Sequence, residues 1–220
     1  MVTMNYFGNR TGMKLGLFGG TFDPIHRGHI AIAEGSIEKM KLDGVLFMPA
    51  GQPWMKTESP ISSKVHRLEM VKLAIKPFEE FEVSDIEIKR LGPTYTIDTL
   101  IQLKHGPHSQ SDIYLILGID AALAIKEWYS SGEIARLCEV IIAPRGDSRS
   151  DHERHIEQIE NDIGKPVHVL NIPHINVSGT EIRSMIASHM DVTGMISRDI
   201  EEYIRDQGLY LEDLNEREHD

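Results

Sequence analysis

A single cysteine, Cys138, stands in 220 residues, which excludes any intrachain disulfide. Leu137 and the run Val140-Ile141-Ile142 beside it make an ordinary buried thiol the expectation. No apolar run approaches the ~18 residues of a membrane span. The first six residues lack the apolar core of a signal peptide, so a cytoplasmic location and no membrane partner are expected. Basic residues are short: 23 Lys and Arg against 34 Asp and Glu, a net charge of −11. A basic face for nucleic acid is not available from that balance, and no nucleic-acid partner is expected. Residues 199–220 hold nine acids against Arg205 and Arg217, so most of the excess is a solvated acidic terminus. His152 and His155 have helical spacing but no third ligand at metal-site spacing, so no protein-held metal is expected. His105 and His108 read as loop residues.

Forty per cent apolar residues in a chain of this length suit one domain with a substantial core. The chain contains no internal repeat and no low-complexity linker. Short apolar runs at 14–18, 45–48, 82–83 with 86–88, 113–117, 140–143 and 167–170 read as strands. Helical patterns fall at 28–41, 62–76, 95–104, 120–136 (broken near Ser130), 152–163, 179–189 and 197–206. Continuous apolar strands alternating with helices predict a doubly wound α/β domain with a parallel sheet, Rossmann-like, with a small C-terminal helical part. Its ligands belong at the carboxyl ends of the strands. The organisation expected is an extension over 1–12, one domain over 13–210 and an acidic tail over 211–220.

After the first strand comes Gly19-Gly20-Thr21-Phe22-Asp23-Pro24-Ile25-His26-Arg27-Gly28-His29. It is neither the dinucleotide fingerprint G-x-G-x-x-G nor the P-loop G-x-x-x-x-G-K-[ST]. Small residues where a strand hands over to a helix let a ligand approach the backbone. The helix N-terminus then offers N–H groups and a positive dipole end, suited to a phosphate. His26 and His29, three apart, lie on one face of that helix start.

Four later stretches also fall at element ends. Pro49, Gly51 and Pro53 stiffen a loop that carries the cation Lys56. His66 and Arg67 follow on the next helix, and there a solvated helix face and a site role weigh about equally. Gly92-Pro93 makes a turn before Thr94-Tyr95-Thr96, where Thr94 or Thr96 can cap the following helix. Gly118 and Asp120 precede Trp128-Tyr129, with the indole eight positions after the carboxylate; an indole can be core or can stack on a flat cationic ring. Last, Ser178 and Glu181 fit a capping box. That box does not account for Arg183, a cation in the first turn of a helix, where it opposes the dipole unless an anion is bound there.

The pattern G-G-T-F-D-P-x-H-x-G-H resembles the nucleotidyltransferase superfamily with the H-x-G-H signature. The P-x-G-x-P-x-x-K loop ending at Lys56, T-Y-T-x-D-T-L at 94–100, G-x-D-x(7)-W at 118–128 and S-G-T-x-I-R at 178–183 resemble its bacterial nicotinate-mononucleotide adenylyltransferases. So does the Gly208-Leu209-Tyr210 ending of the C-terminal helix. The resemblance runs from about Met13 to Tyr210, with Gly179 where the family has a second serine.

That resemblance implies adenylyl transfer from ATP to nicotinate mononucleotide, giving deamido-NAD and pyrophosphate, in NAD biosynthesis. It implies catalytic roles for His26, His29 and Arg183, which would hold phosphates as charge builds. It places ATP on Gly19, Gly20, Thr21, Phe22, Gly118, Asp120, Arg145, Ser178 and Thr180, and the pyridine mononucleotide on Lys56, Thr94, Tyr95, Thr96, Trp128 and Tyr129. Mg²⁺ would arrive with ATP, bound through phosphates rather than by an acidic protein cluster. The other readings are dual acid and amide specificity, a different acceptor within the superfamily, and a non-catalytic sensor of NAD-like nucleotides. An aminoacyl-tRNA synthetase fragment is disfavoured, because no K-M-S-K-S-like loop is present. A homo-oligomer is left open.

Overall fold

The computed structural model describes residues 7, 10, 12–52, 61–106, 108–144, 149–173 and 175–211. The expected site residues Lys56 and Arg145 lie outside these. Six strands, β1 (Lys14–Gly20), β2 (Gly44–Pro49), β3 (Phe81–Val83), β4 (Asp112–Gly118), β5 (Glu139–Ala143) and β6 (His168–Val169), form one sheet in the order β3-β2-β1-β4-β5-β6. Every pairing is parallel. The chain winds outward from β1 in one direction and from β4 in the other, so the sheet has a switch point between them, where crevices for ligands open.

The described helices are α1 (Arg27–Met40), α2 (Lys64–Ile75), α3 (Ile86–Lys89), α4 (Thr96–Lys104), α5 (Ile119–Leu123), α6 (Ser131–Leu137), α7 (Arg149–Ile163), α8 (Gly179–Ala187) and α9 (Arg198–Asp206). Side-chain alternation along the strands divides the core between the two faces of the sheet. Leu15, Leu17, Leu46, Met48, Leu115, Leu117, Val140 and Ile142 pack with Ile97 and Leu100 of α4 and Ile159 of α7. Phe18, Val45, Phe47, Ile116 and Ile141 pack with Met70 and Val71 of α2, Ile182 of α8 and Ile200 of α9. All six residues of β2 are buried, as in a strand covered on both sides. Gly16 permits the close packing on the second face, since a Cβ there would lie 3.0 Å from both Ile116 Cδ1 and Val45 Cγ2.

One expected strand is a helix. Residues 86–88 alternate Ile-Glu-Ile, which has the period of a strand, but they form the first turn of α3. The Ser84 hydroxyl accepts the N–H of Ile86, and the Lys89 N–H returns to the Asp85 carbonyl, which closes a helical turn. The expected helix over 120–136 is broken into α5, a 3₁₀ turn over Ile125–Glu127 and α6, with Ser130 in the left-handed region at φ 55°. Within the expected N-terminal extension, Phe7 is buried, and its ring lies where a side chain on Gly44 would be.

Candidate active site

The carboxyl end of β1 runs into the loop that α1 terminates. Phe22 takes a left-handed backbone at φ 51°, a conformation disfavoured for an aromatic residue. Its buried ring offsets that cost, standing edge-on to Phe18 at 5.7 Å and to His29 at 5.1 Å. Gly20 is needed beneath it, since a Cβ there would be 2.9 Å from the Phe22 ring. His26 then caps α1 in an extended conformation. Its backbone N–H donates to Nδ1 of His29 at 3.2 Å, and the two rings stack 3.8 Å apart. A backbone N–H only donates, so Nδ1 of His29 is the acceptor, and the neutral ring carries its proton on Nε2. The glycine of H-x-G-H also has a packing reason. A Cβ on Gly28 would lie 3.1 Å from both the His26 Nδ1 and the Val177 Cγ1.

The end of β1 and this loop contribute walls to two cavities. The larger, about 200 Å³, is walled by the ends of β1, β2 and β4 through Gly20, Ala50 and Gly118. It brings together Gly19, Thr21, Thr94, Tyr95, Thr96, Trp128 and Tyr129 from the sequence reading. Tyr95 and Tyr129 pack at 5.0 Å between ring centres. Gly19, Gly20, Thr21 and Gly118, expected with ATP, therefore line the cavity that holds the residues expected to meet the pyridine. The smaller cavity, about 50 Å³, is lined by His26, Gly28 and His29 with Ala143 and Pro144 from the end of β5. Asp120 is exposed in the first turn of α5.

Neither Thr94 nor Thr96 caps α4. The N-cap is Tyr95, whose side chain makes no cap bond. Thr94 is buried and donates through its N–H and hydroxyl to the Gln52 carbonyl, tying the 94–96 turn to the loop after β2. At α8 the Ser178 hydroxyl does cap, accepting the Glu181 N–H at 3.1 Å. Arg183 Nη1 donates to the Asp23 carbonyl at 2.7 Å and Nη2 to the Thr180 hydroxyl at 3.4 Å, which brings α8 against the β1 loop. The family's serine is absent at Gly179 in a crowded place, where a Cβ would lie 3.0 Å from that same carbonyl.

Three residues at the site were not among the expected site residues. Arg67, for which a solvated face and a site role weighed about equally, is 1 % exposed and makes four bonds to main-chain carbonyls. Burial pushes its pKa down, and the nearby Asp23 carboxylate opposes that shift. Glu87 lines the larger cavity, and burial raises its carboxyl above the ordinary range, against the Thr99 hydroxyl that donates to it at 2.7 Å. Tyr210 donates its hydroxyl to Asp23 Oδ1 at 2.6 Å, while Asp23 Oδ2 accepts the Ser62 N–H at 3.2 Å. Burial, and then the Asp23 charge, push the Tyr210 phenol well above its ordinary value.

The cytidylyltransferase-like family model matches residues 17–185, which includes the β1 loop, both cavities and most of α8. A probable nicotinate-nucleotide adenylyltransferase of Dehalococcoides mccartyi is 39 % identical over 199 residues, 90 % of this chain and 97 % of that one. Another, of Synechococcus sp., is 40 % identical over 200 residues, 90 % of this chain and 95 % of that one. The chain belongs to the nicotinate-nucleotide adenylyltransferase family. The fold agrees. The solved Plasmodium falciparum nicotinic acid mononucleotide adenylyltransferase complexed with NaAD superposes with a TM-score of 0.73 at 21 % identity, covering 90 % of this chain and 97 % of that one.

Proposed function

We propose that this chain transfers the adenylyl group of ATP to nicotinate mononucleotide, releasing pyrophosphate and forming deamido-NAD. The observation that carries the reading is the pair of cavities that share the β1 loop, one holding Trp128 and Tyr95, the other His26 and His29. Two substrates must meet with one phosphate of each in line, and this loop contributes residues to both cavities.

The 5′-phosphate oxygen of the mononucleotide attacks the α-phosphorus of ATP. The new P–O bond forms as the bond to the β-phosphate bridging oxygen breaks, and pyrophosphate leaves with that electron pair. No protein nucleophile is needed, so rate comes from positioning and charge stabilisation. The Nε2–H of His29 is a donor for phosphate oxygen. Arg183 has its guanidinium at the β1 loop, and Ser178 and Thr180 lie in the first turn of α8, whose N–H groups suit a polyphosphate. Trp128 offers a face for the pyridinium. α4 has no side-chain cap, and apart from the Asp98 N–H, which donates to the Tyr95 carbonyl, its first N–H groups suit the ring carboxylate, which favours the acid over the amide.

Among the described residues, no three His, Cys, Asp or Glu side chains group to hold a metal. The β1 loop and α8 offer imidazole, guanidinium, hydroxyl and N–H groups, which take phosphate oxygens, while the Asp23 carboxylate of that loop is bonded to Tyr210 and Ser62. Mg²⁺ fits here as the counter-ion of ATP, where it supplies charge neutralisation on the phosphates.

Pyrophosphate release with ATP and Mg²⁺ tests the reading, with nicotinate and nicotinamide mononucleotides compared. A kcat/KM favouring the acid about 100-fold, some ~2.7 kcal/mol of transition-state discrimination, is expected. Comparable rates would make the enzyme dual-specific. Ligand binding with no turnover would make it a sensor.

A further inference from the structure

The guanidinium of Arg67, in the first turn of α2, is bonded wholly to backbone carbonyls. Nη1 donates to Thr21 at 2.7 Å. Nη2 donates to Ala50 at 2.6 Å and to Gly51 at 3.1 Å. Nε donates to Ser62 at 3.1 Å. Thr21 belongs to the loop after β1, the one that leads to His26 and His29. Ala50 and Gly51 belong to the loop after β2, and Ala50 walls the larger cavity as Thr21 does. One planar group therefore spans the two loops that would carry the two substrates.

Burying a cation costs several kcal/mol unless hydrogen bonds satisfy it. The apolar alternative is plain here, because Arg67 heads the buried stripe Met70, Val71, Ala74 and Ile75 of α2. A methionine or leucine would continue that stripe but leave four carbonyls without this donor. Only a rigid fork of donors fixes three carbonyls of two loops at set distances from one another. Asp23, whose charge acts on Arg67, adds a second tie through Tyr210 and Ser62.

We propose that Arg67 is a positioning residue for adenylyl transfer, setting the distance between the phosphate loop after β1 and the mononucleotide loop after β2. The inference rests on the reaction proposed above. The loop after β1 lines both cavities and Ala50 of the loop after β2 lines the larger one, so losing the fork shifts one substrate's phosphate against the other's more than it weakens the binding of either. The in-line approach of one phosphate to the other depends on both loops together.

The test is Arg67→Lys, which keeps the charge and loses the fork, alongside Arg67→Ala assayed with and without millimolar ethylguanidinium. Assays run well below the melting temperature of each variant. Arg67→Lys is expected to lower kcat about 10- to 100-fold. The dissociation constants of ATP and of the mononucleotide, each measured alone, should move less than about 3-fold. Ethylguanidinium should restore part of the kcat of Arg67→Ala, saturably, and leave the wild type unchanged. An unchanged kcat in folded Arg67→Lys overturns the inference. So does a parallel loss of kcat and both affinities without rescue, or failure of both variants to fold, each of which assigns Arg67 to folding alone. Absence of turnover in the wild type is a different result, since it removes the proposed reaction itself and the inference with it.

Discussion

The backbone N–H of His26 holds Nδ1 of His29 as its acceptor at 3.2 Å, so one residue of the H-x-G-H pair fixes the tautomer of the other. The proton of the neutral His29 ring is left on Nε2. The edge contacts of His29 with Phe18 and Phe22 hold the ring in that orientation. His29→Ala removes the Nε2 donor and leaves the loop's apolar anchor in place. Its kcat is expected to fall about 100- to 1,000-fold, the scale of losing one donor to a charged transition state, with a much smaller change in ATP affinity. Single-turnover rates and ATP titrations separate the two effects, and an unchanged kcat would remove His29 from the catalysis. The imidazole nitrogen resonances of the free enzyme should show Nε2 protonated and Nδ1 bare.

Gly28 is a sharper test of packing in the same motif. Its missing Cβ leaves room for the His26 ring and for Val177, both walls of the smaller cavity. In Gly28→Ala one of them must move by a few tenths of an ångström. A loss of about 10-fold or more in kcat is expected, because small displacements of groups around a reacting phosphate are amplified in rate. Gly132→Ala, where a Cβ meets nothing within 4 Å, is the control and should be silent. Equal activity in the two variants would separate the glycine of the motif from catalysis.

Much of this site was legible in the sequence because its parts are local. The β1 loop, the Trp128 spacing and the Ser178 cap are each contained in about a dozen residues, and each falls at the end of a strand or the start of a helix, where the pattern placed it. The continuous apolar run Leu15, Gly16, Leu17, Phe18 likewise marked a strand buried on both faces. The same logic failed at 86–88, where three consecutive buried residues, Ile86, Glu87 and Ile88, have a strand's period but form a helical turn. Arg67 was left between a solvated face and a site role, although positions 67, 70, 71, 74 and 75 form one helical stripe, and a charged residue heading an apolar stripe was the available signal. Nothing local announces the bonds of Asp23 to Arg183 and Tyr210, which close over 160 and 187 residues of chain. Those contacts exist only once the sheet has placed α8 and the C-terminal segment beside β1.

Glu87 gives the chain a pH-dependent term with a definite sign. Burial raises its carboxyl above the ordinary carboxylate value, so between that value and the raised one the folded state binds more protons than the unfolded state. Stability from this group is full below the ordinary value and falls as pH rises through that window. Glu87→Gln keeps an oxygen for the Thr99 hydroxyl and removes the buried charge. Its melting temperature is expected to exceed that of the wild type at pH 8, with the gap closing towards pH 4. Thermal unfolding of both proteins across that range decides it, and a variant less stable than the wild type at pH 8 would contradict the assignment.

Cys138 should be inert while the chain is folded. The thiol is buried, bonded to the Ile134 carbonyl at 3.3 Å, and pushed up to about 12 by that burial. The thiolate is the reacting species, so almost none is present at pH 8. A disulfide reagent at that pH should leave the native protein unmodified and titrate one thiol once denaturant is added. Rapid modification of the native protein would place Cys138 at the surface.

Tyr210 carries a test of how the C-terminal segment supports the phosphate loop. Its hydroxyl is bonded to a carboxylate that is itself buried, and Asp23 keeps only the Ser62 N–H among the other hydrogen bonds described for its side chain. Tyr210→Phe preserves the ring and removes one donor to a charged acceptor, a loss of about 1.5–3 kcal/mol. The same bond has an alkaline signature. A phenol raised above its ordinary value contributes stability that is present below that ordinary value, about 10, and is lost as pH rises beyond it. The wild type should therefore be the more stable protein at pH 7, and its advantage over Tyr210→Phe should shrink above pH 10. Because the Asp23 carbonyl also receives Arg183, the variant is expected to lower kcat as well as stability. Chemical denaturation at pH 7 and pH 11, with kcat measured at pH 7, checks both. A Tyr210→Phe protein with the wild-type stability at pH 7 would show that the contact does not hold the loop.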